Sequence, residues 1–205
     1  MKLFTRRNLL SRSIALVGGS MLVPSAVATV TPKAAEGPFY PISSMRMTDV
    51  DNDLVKVAGV VKEAGGEILH LSGRVMNRDG QPLVSGRIEI WQCDVNGKYL
   101  HPGDDQNVSY DSAFQGFGFD LTDNSGYYYF RTIKPAQYPG RTPHIHVKIH
   151  DENHELLTTQ FYIDGHPDND NDFLYRRMST DQAKRVSMVI AEGDDGFQTN
   201  VDVII

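Results

Sequence analysis

Tyr138-Pro-Gly-Arg-Thr-Pro-His144-Ile-His146 sets a phenol, a guanidinium and two imidazoles within nine residues. Ile145, Val147 and Ile149 alternate with His144, His146 and Lys148, the period of a β-strand, so both histidines project from one face and the aliphatic side chains from the other. An H-x-H pair on a strand is a two-nitrogen metal clamp, imidazole being the commonest protein metal ligand. On its own the pair is better read as a half-exposed strand with two histidines on its wet face; its neighbours change that reading. Two tyrosines add to it: Tyr99, just past an Asn96-Gly97 turn, and Tyr138, held between Pro135 and Pro139. Two phenolates and two neutral imidazoles form a hard, anionic donor set suited to a trivalent ion, which among available metals points to ferric iron. Zinc is more usually held by three histidines or by histidine with a carboxylate, which would leave both tyrosines without a role.

Short strands separated by turns carry these residues. Leu69, Leu71, Gly73 and Val75 share one face before an Arg78-Asp79-Gly80 turn; Ile88 and Ile90 mark the next strand, closed by Asn96-Gly97. Asp123-Asn124-Ser125-Gly126 precedes an aromatic strand from Tyr127 to Phe130, and further strands are read at 144–150, 158–163 and 201–205. Only 179 to about 190 reads as helix, opening on a Ser/Thr/Asp cap. The expected fold is an all-β antiparallel sandwich over residues 67–205, preceded by an extended arm over 29–66 in which Glu36-Gly-Pro-Phe-Tyr-Pro41 is pinned open by its prolines.

Residues 1–28 read as an export signal. Lys2, Arg6, Arg7 and Arg12 form a basic start, Ile14 to Val23 an apolar run, and Ala26-Val27-Ala28 a small-residue cleavage site; Thr5-Arg6-Arg7-Asn8-Leu9-Leu10 resembles a twin-arginine signal. The expected location is periplasmic or secreted, with no stable membrane association once the signal is cleaved. The chain of 205 residues carries a net charge of −6; the first 28 hold four positive groups and no acid, so the remainder stands near −10. Such a surface repels phosphate backbones and argues against nucleic acid as a partner. Cys93 is the only cysteine, which excludes an internal disulfide, and its alternation with Trp91 reads as a packed thiol.

Longer motifs carry a resemblance. Glu36-Gly-Pro-Phe-Tyr-Pro41, Glu89-Ile-Trp-Gln92, Gly97-Lys-Tyr99, Ser125-Gly-Tyr-Tyr-Tyr-Phe-Arg-Thr-Ile-Lys-Pro135, Arg141-x-Pro-His-Ile-His146 and Thr159-Gln-Phe-Tyr162 follow in the order and spacing of the intradiol ring-cleavage dioxygenases, the protocatechuate 3,4-dioxygenase and catechol 1,2-dioxygenase type of catalytic core, which this chain resembles over nearly all of residues 36–205. The resemblance implies non-haem Fe(3+) held by Tyr99 and His146 in equatorial and by Tyr138 and His144 in axial positions. It implies that Arg141 and Gln160 touch the substrate and assist catalysis, that Tyr138 takes a proton from the bound diol, and that Tyr40 lies near the substrate. The partners implied are a small aromatic diol and O2, both atoms of which enter a muconate-type diacid. Only Pro139 and Gly140 separate Tyr138 from Arg141, fewer residues than in many family members, which implies an open cleft. The contrasting readings are a transthyretin-like sandwich that binds carbohydrate or protein without catalysis, and an H-x-H copper or zinc site.

Overall fold

The computed structural model describes residues 28–43 and 51–205, so the basic start, the apolar run and most of the cleavage site of the export signal lie outside the described residues. Alternation decides the first strand: β1 (Ile68–Met76) buries Leu69, Leu71, Gly73 and Val75 and turns Arg74 to solvent. The Arg78-Asp79-Gly80 turn follows, with the Asn77 amide donating to the Gln81 carbonyl at 2.9 Å. Next come β2 (Arg87–Trp91), β3 (Phe117–Leu121), β4 (Tyr127–Ile133), β5 (His144–Asp151) and β6 (His154–Ile163), then a short helix α1 (Thr180–Arg185) and the short strands β7 (Ser187–Met188), β8 (Ala191–Gly193), β9 (Gly196–Asn200) and β10 (Val203–Ile204).

They form two five-stranded sheets. One runs β10-β1-β9-β8 with β4 on the other side of β1; the second runs β3-β2-β5-β6-β7. Ile88, Ile90, Ile145, Val147 and Ile149 of the second sheet pack on Leu69, Leu71, Tyr128 and Phe130 of the first, all of them buried. This is the all-β sandwich expected, with one difference: β1 pairs β9 and β10 in parallel, and β6 pairs β7 in parallel, so both sheets are mixed. The reason is the C-terminal chain, which returns along β1 after passing the edge of the other sheet.

Several boundaries differ from the sequence reading. β2 ends at Trp91, and the Asn96-Gly97 turn lies in the loop beyond it. The helix opens on Ser179 with a reciprocal capping box to Gln182, as its cap residues require, but stops at Arg185, because Ser187 and Met188 pair with Tyr162 and Ile163 and Met188 enters the core. The segment 29–66 is more than an arm. Leu54 and Val55 belong to the core, and Asp53 bridges to Arg131 of β4. No helix among the described residues is long and apolar enough to cross a membrane.

Candidate active site

β5 runs through the middle of the second sheet, and its register places Trp91, His146 and Gln160 side by side across β2, β5 and β6, with His144 opposite Tyr162. The Trp91 ring lies flat on the His146 imidazole, centroids 4.7 Å apart and planes at 11°. The histidine face is buried, because the chain before β1 lies over it. The Ala34 amide donates to the Thr158 carbonyl, Glu36 pairs with the buried Lys148, and Phe39 stacks on Tyr99 at 4.8 Å. Gly37 has φ +79°, and a Cβ there would stand 3.3 Å from Cε1 of His146. His144 and His146 are consequently only 2% and 4% exposed, and the wet-face alternative for the H-x-H strand is excluded.

Tyr99 is delivered by the loop after β2. Asp94 Oδ1 accepts the amides of Asn96 and Lys98, and Asp104 Oδ2 accepts the Tyr99 amide at 2.8 Å. Gly97, at φ +74°, lets this loop lie directly against the Gln137 carbonyl, beside Tyr138. The Tyr99 hydroxyl then stands 3.3 Å from Nε2 of His144 and 3.1 Å from Nε2 of His146, and the two nitrogens are 3.1 Å apart. Nδ1 of His144 faces the Thr142 carbonyl at 2.7 Å. A carbonyl only accepts, so Nδ1 carries the hydrogen and Nε2 turns its lone pair inward. Burial and Arg141 press the His144 pKa down to about 4, and burial, His144 and Arg141 hold His146 well below its usual value, so both rings are neutral. Burial raises the Tyr99 phenol well above its ordinary range, with Arg141 opposing, and raises Tyr138 as well.

Three lone-pair donors crowded this closely fit a shared cation. Two ligands about 2.1 Å from one ion at roughly 90–109° stand about 3.0–3.4 Å apart, the separations found here. Among the described residues no group of three His, Cys, Asp or Glu side chains could hold a metal, so a zinc site of the usual composition is absent there. The phenolic oxygens are needed to complete a set. Tyr138 lines the same cavity, its ring 5.3 Å from that of Tyr99, but its hydroxyl makes no hydrogen bond to the other three.

Arg141 borders the donors. Its Nε donates to Asp172 Oδ2 at 2.7 Å, its Nη2 to Gln160 Oε1 at 2.8 Å, and its Nη1 lies 3.5 Å from Nε2 of His144. Gln160 is buried and oriented by its partners: Oε1 also accepts from the Tyr162 hydroxyl, and Nε2 donates to the Ala35 carbonyl. Asp172 has no exposed side-chain surface and also accepts the amides of Thr142, Leu174 and Tyr175. An open cavity of about 320 Å³, large enough for a small aromatic ring, is bounded by Phe39, Tyr99, Tyr138, Arg141, His144 and His146.

The structure thus brings Tyr99, His144, His146, Arg141 and Gln160 together and puts Tyr138 on the cavity wall. It corrects Tyr40. That side chain is not among the cavity's lining residues; its hydroxyl donates to Glu89 at 2.6 Å and its ring packs on Trp91, while its neighbour Phe39 faces the cavity. Cys93 is packed as expected, its thiol pushed up to about 12 by burial. Asp172 and the stacking role of Trp91 were not foreseen. Asp172 sits among several acids with no spacing signal to separate it from them, whereas Trp91 falls on the alternation of β2 and was readable as buried.

A dioxygenase family model matches residues 35–203. The chain is 37% identical over 126 residues to the protocatechuate 3,4-dioxygenase beta chain of Burkholderia cepacia (58% of this chain, 54% of that protein). It is 29% identical over 175 residues to a catechol 1,2-dioxygenase of Acinetobacter baylyi (73% and 51%). It therefore spans about half the length of these curated relatives. Among solved structures, the dioxygenase domain of a dioxygenase–carbohydrate-binding protein fusion from the cellulolytic bacterium Streptomyces sp. SirexAA-E superposes with a TM-score of 0.64 at 28% identity, covering 86% of this chain and 98% of that one. An intradiol ring-cleavage dioxygenase from Tetranychus urticae shares the fold, with a TM-score of 0.68 at 22% identity over 87% and 95% of the two chains. A family match over most of the chain, joined to two buried imidazoles and a phenol converging at one open cavity, makes this protein a member of the intradiol ring-cleavage dioxygenase family.

Proposed function

We propose that this protein is a non-haem iron(III) intradiol dioxygenase that opens a catecholic ring between its two hydroxyl-bearing carbons, with O2 as co-substrate, to give a muconate-type diacid. The observation that carries the reading is the mutual approach of the Tyr99 hydroxyl and the Nε2 atoms of His144 and His146 to within 3.3 Å inside an open cavity. Tyr99, His144, His146 and Tyr138 would hold the iron. Bound there, ferric iron supplies Lewis acidity to both oxygens of the diol.

The chain's own residues do the rest. The two histidines are neutral and so enter as electron-pair donors without first losing a proton. Tyr138, half-buried on the cavity wall, would be held by the ion as a phenolate and in that form could take one diol proton on its oxygen. Arg141 aims Nη1 into the cavity while Asp172 and Gln160 fix its other nitrogens, a donor placed in advance for negative charge that grows on the ring. Phe39 and Trp91 cover the donors with apolar surface and limit water at the ligand atoms.

The test is direct. Protein reconstituted with iron should show a tyrosinate-to-iron absorption in the visible that shifts when catechol is added, and should consume one O2 per ring opened. Colourless protein that takes up no iron and no oxygen would end the reading. We also propose export by the twin-arginine route, on the strength of Arg6-Arg7; Arg6→Lys with Arg7→Lys should hold the protein in the cytoplasm, and unchanged export would refute it.

A further inference from the structure

We infer that a second cavity beside the first is an acid-binding extension of the substrate site, selecting catechols whose side chain ends in a carboxylate. The inference rests on the dioxygenase reading above and deepens it. This cavity, also about 320 Å³, lies between Pro32–Ala35 of the arm, Thr159–Tyr162 of β6 and the segment from Leu174 to Met178. Ala35, Gln160 and Leu174 line both cavities, so the second abuts the first at these three residues.

The chemistry of the two cavities differs. Among the described residues Arg141 is the only cation lining the first, and its guanidinium is already paired with the fully buried Asp172 and bonded to Gln160. A carboxylate attached directly to the ring meets a cation whose charge is largely neutralised. Among the described residues the second cavity is lined by two cations, Lys33 and Arg177, from two separate segments, and by no acid. Neither cation forms an ion pair with any described residue. Both are exposed, and together they make this hollow basic in a chain of net charge −6. Pro32, Ala34, Leu174 and Met178 supply apolar wall in the same cavity, suited to the methylene groups of a linking chain. The site is therefore matched to an extended acid more than to a benzoate.

The experiment uses the iron-loaded protein and four probes: 4-methylcatechol, 3,4-dihydroxybenzoate, 3-(3,4-dihydroxyphenyl)propanoate and the methyl ester of the last. Oxygen uptake gives kcat/KM, and calorimetry without oxygen gives affinity. The propanoate should exceed its ester by about tenfold, the scale of two solvated ion pairs, and raising the ionic strength should shrink the gap. In Lys33→Gln with Arg177→Gln the ratio should fall to near one, while 4-methylcatechol is turned over as before; Lys33→Arg should keep the ratio. An acid-to-ester ratio untouched by the double substitution, or a benzoate favoured as much as the propanoate, overturns the inference and leaves the dioxygenase reading intact. If no catechol is cleaved, the dioxygenase reading fails, and the calorimetric acid-to-ester ratio still decides the inference.

Discussion

Asp172 shows how one unremarkable residue can govern a reactive one. Exposed pairs such as Lys134 with Glu67 contribute less than about 1 kcal/mol, but the Asp172 carboxylate is buried against Arg141 and three backbone amides. Removing it leaves a poorly solvated guanidinium without its partner, so Asp172→Ala should lower unfolding stability by about 3 kcal/mol in denaturant titration. Burial alone would raise this carboxyl; hydrogen bonds from Arg141, Tyr175 and Thr142 outweigh it and hold the pKa below the ordinary range. A depressed folded value means stability present above the unfolded pKa of about 3.9 and lost as pH falls through the lower folded value. Thermal stability of Asp172→Asn measured from pH 6 to pH 3 should accordingly decline less steeply than that of the parent; identical slopes would show that the carboxylate contributes nothing. Gln160→Ala should retain iron and slow turnover, because it removes the oxygen that steadies Arg141 without touching a ligand. His146→Ala should lose iron. The histidine pair and its neighbours Tyr99, Arg141 and Gln160 were readable through their motifs. Asp172 was not, since what sets it apart is a 31-residue separation closed only by folding.

At the scale of elements, two glycines with nearly the same backbone make a controlled comparison. Gly97 and Gly140 have φ +74° and +77°, where a side chain costs about 1–2 kcal/mol. Nothing lies within 4 Å of a Cβ built on Gly140, whereas one on Gly97 would sit 2.6 Å from the Gln137 carbonyl oxygen. Gly140→Ala should cost only the conformational term and keep full iron occupancy. Gly97→Ala should cost more and also weaken iron binding, because the loops carrying Tyr99 and Tyr138 must move apart; metal content and melting temperature read the two effects separately. If both variants behave alike, the contact between the loops does not position the phenols. Strands with clean alternation, β1 and β5, were legible in the sequence. β3 was missed because Phe117-Gly-Phe-Asp-Leu mixes a glycine and an acid into the run, and β8 and β9 because their short polar sequences become strands only by pairing with each other and with β1, more than 100 residues earlier.

For the whole molecule, the least legible property was what covers the histidines. Period-two patterning predicted one buried and one wet face for β5, yet His144, His146 and Lys148 are all buried because Glu36, Gly37 and Phe39 come back over a strand more than 100 residues away. That closure has an energetic consequence. The proposed ligands come from β5 and from the loops after β2 and β4, so an ion held by them ties together three segments remote in sequence. A ligand that binds only the folded state stabilises it by RT ln(1 + [L]/Kd), about 4 kcal/mol at a thousandfold excess over Kd. For a chain of this size each kcal/mol moves the melting temperature by about 2–4 °C. Stripping iron with a chelator should thus lower the midpoint by about 10 °C, and returning ferric ions should restore it. His146→Ala should melt near the stripped protein and gain nothing when iron is added, because its remaining donors no longer converge. A stripped protein that melts with the iron-loaded one, or a His146→Ala variant that recovers the full shift, would show that the cavity is held by packing alone and that no ion joins the three segments.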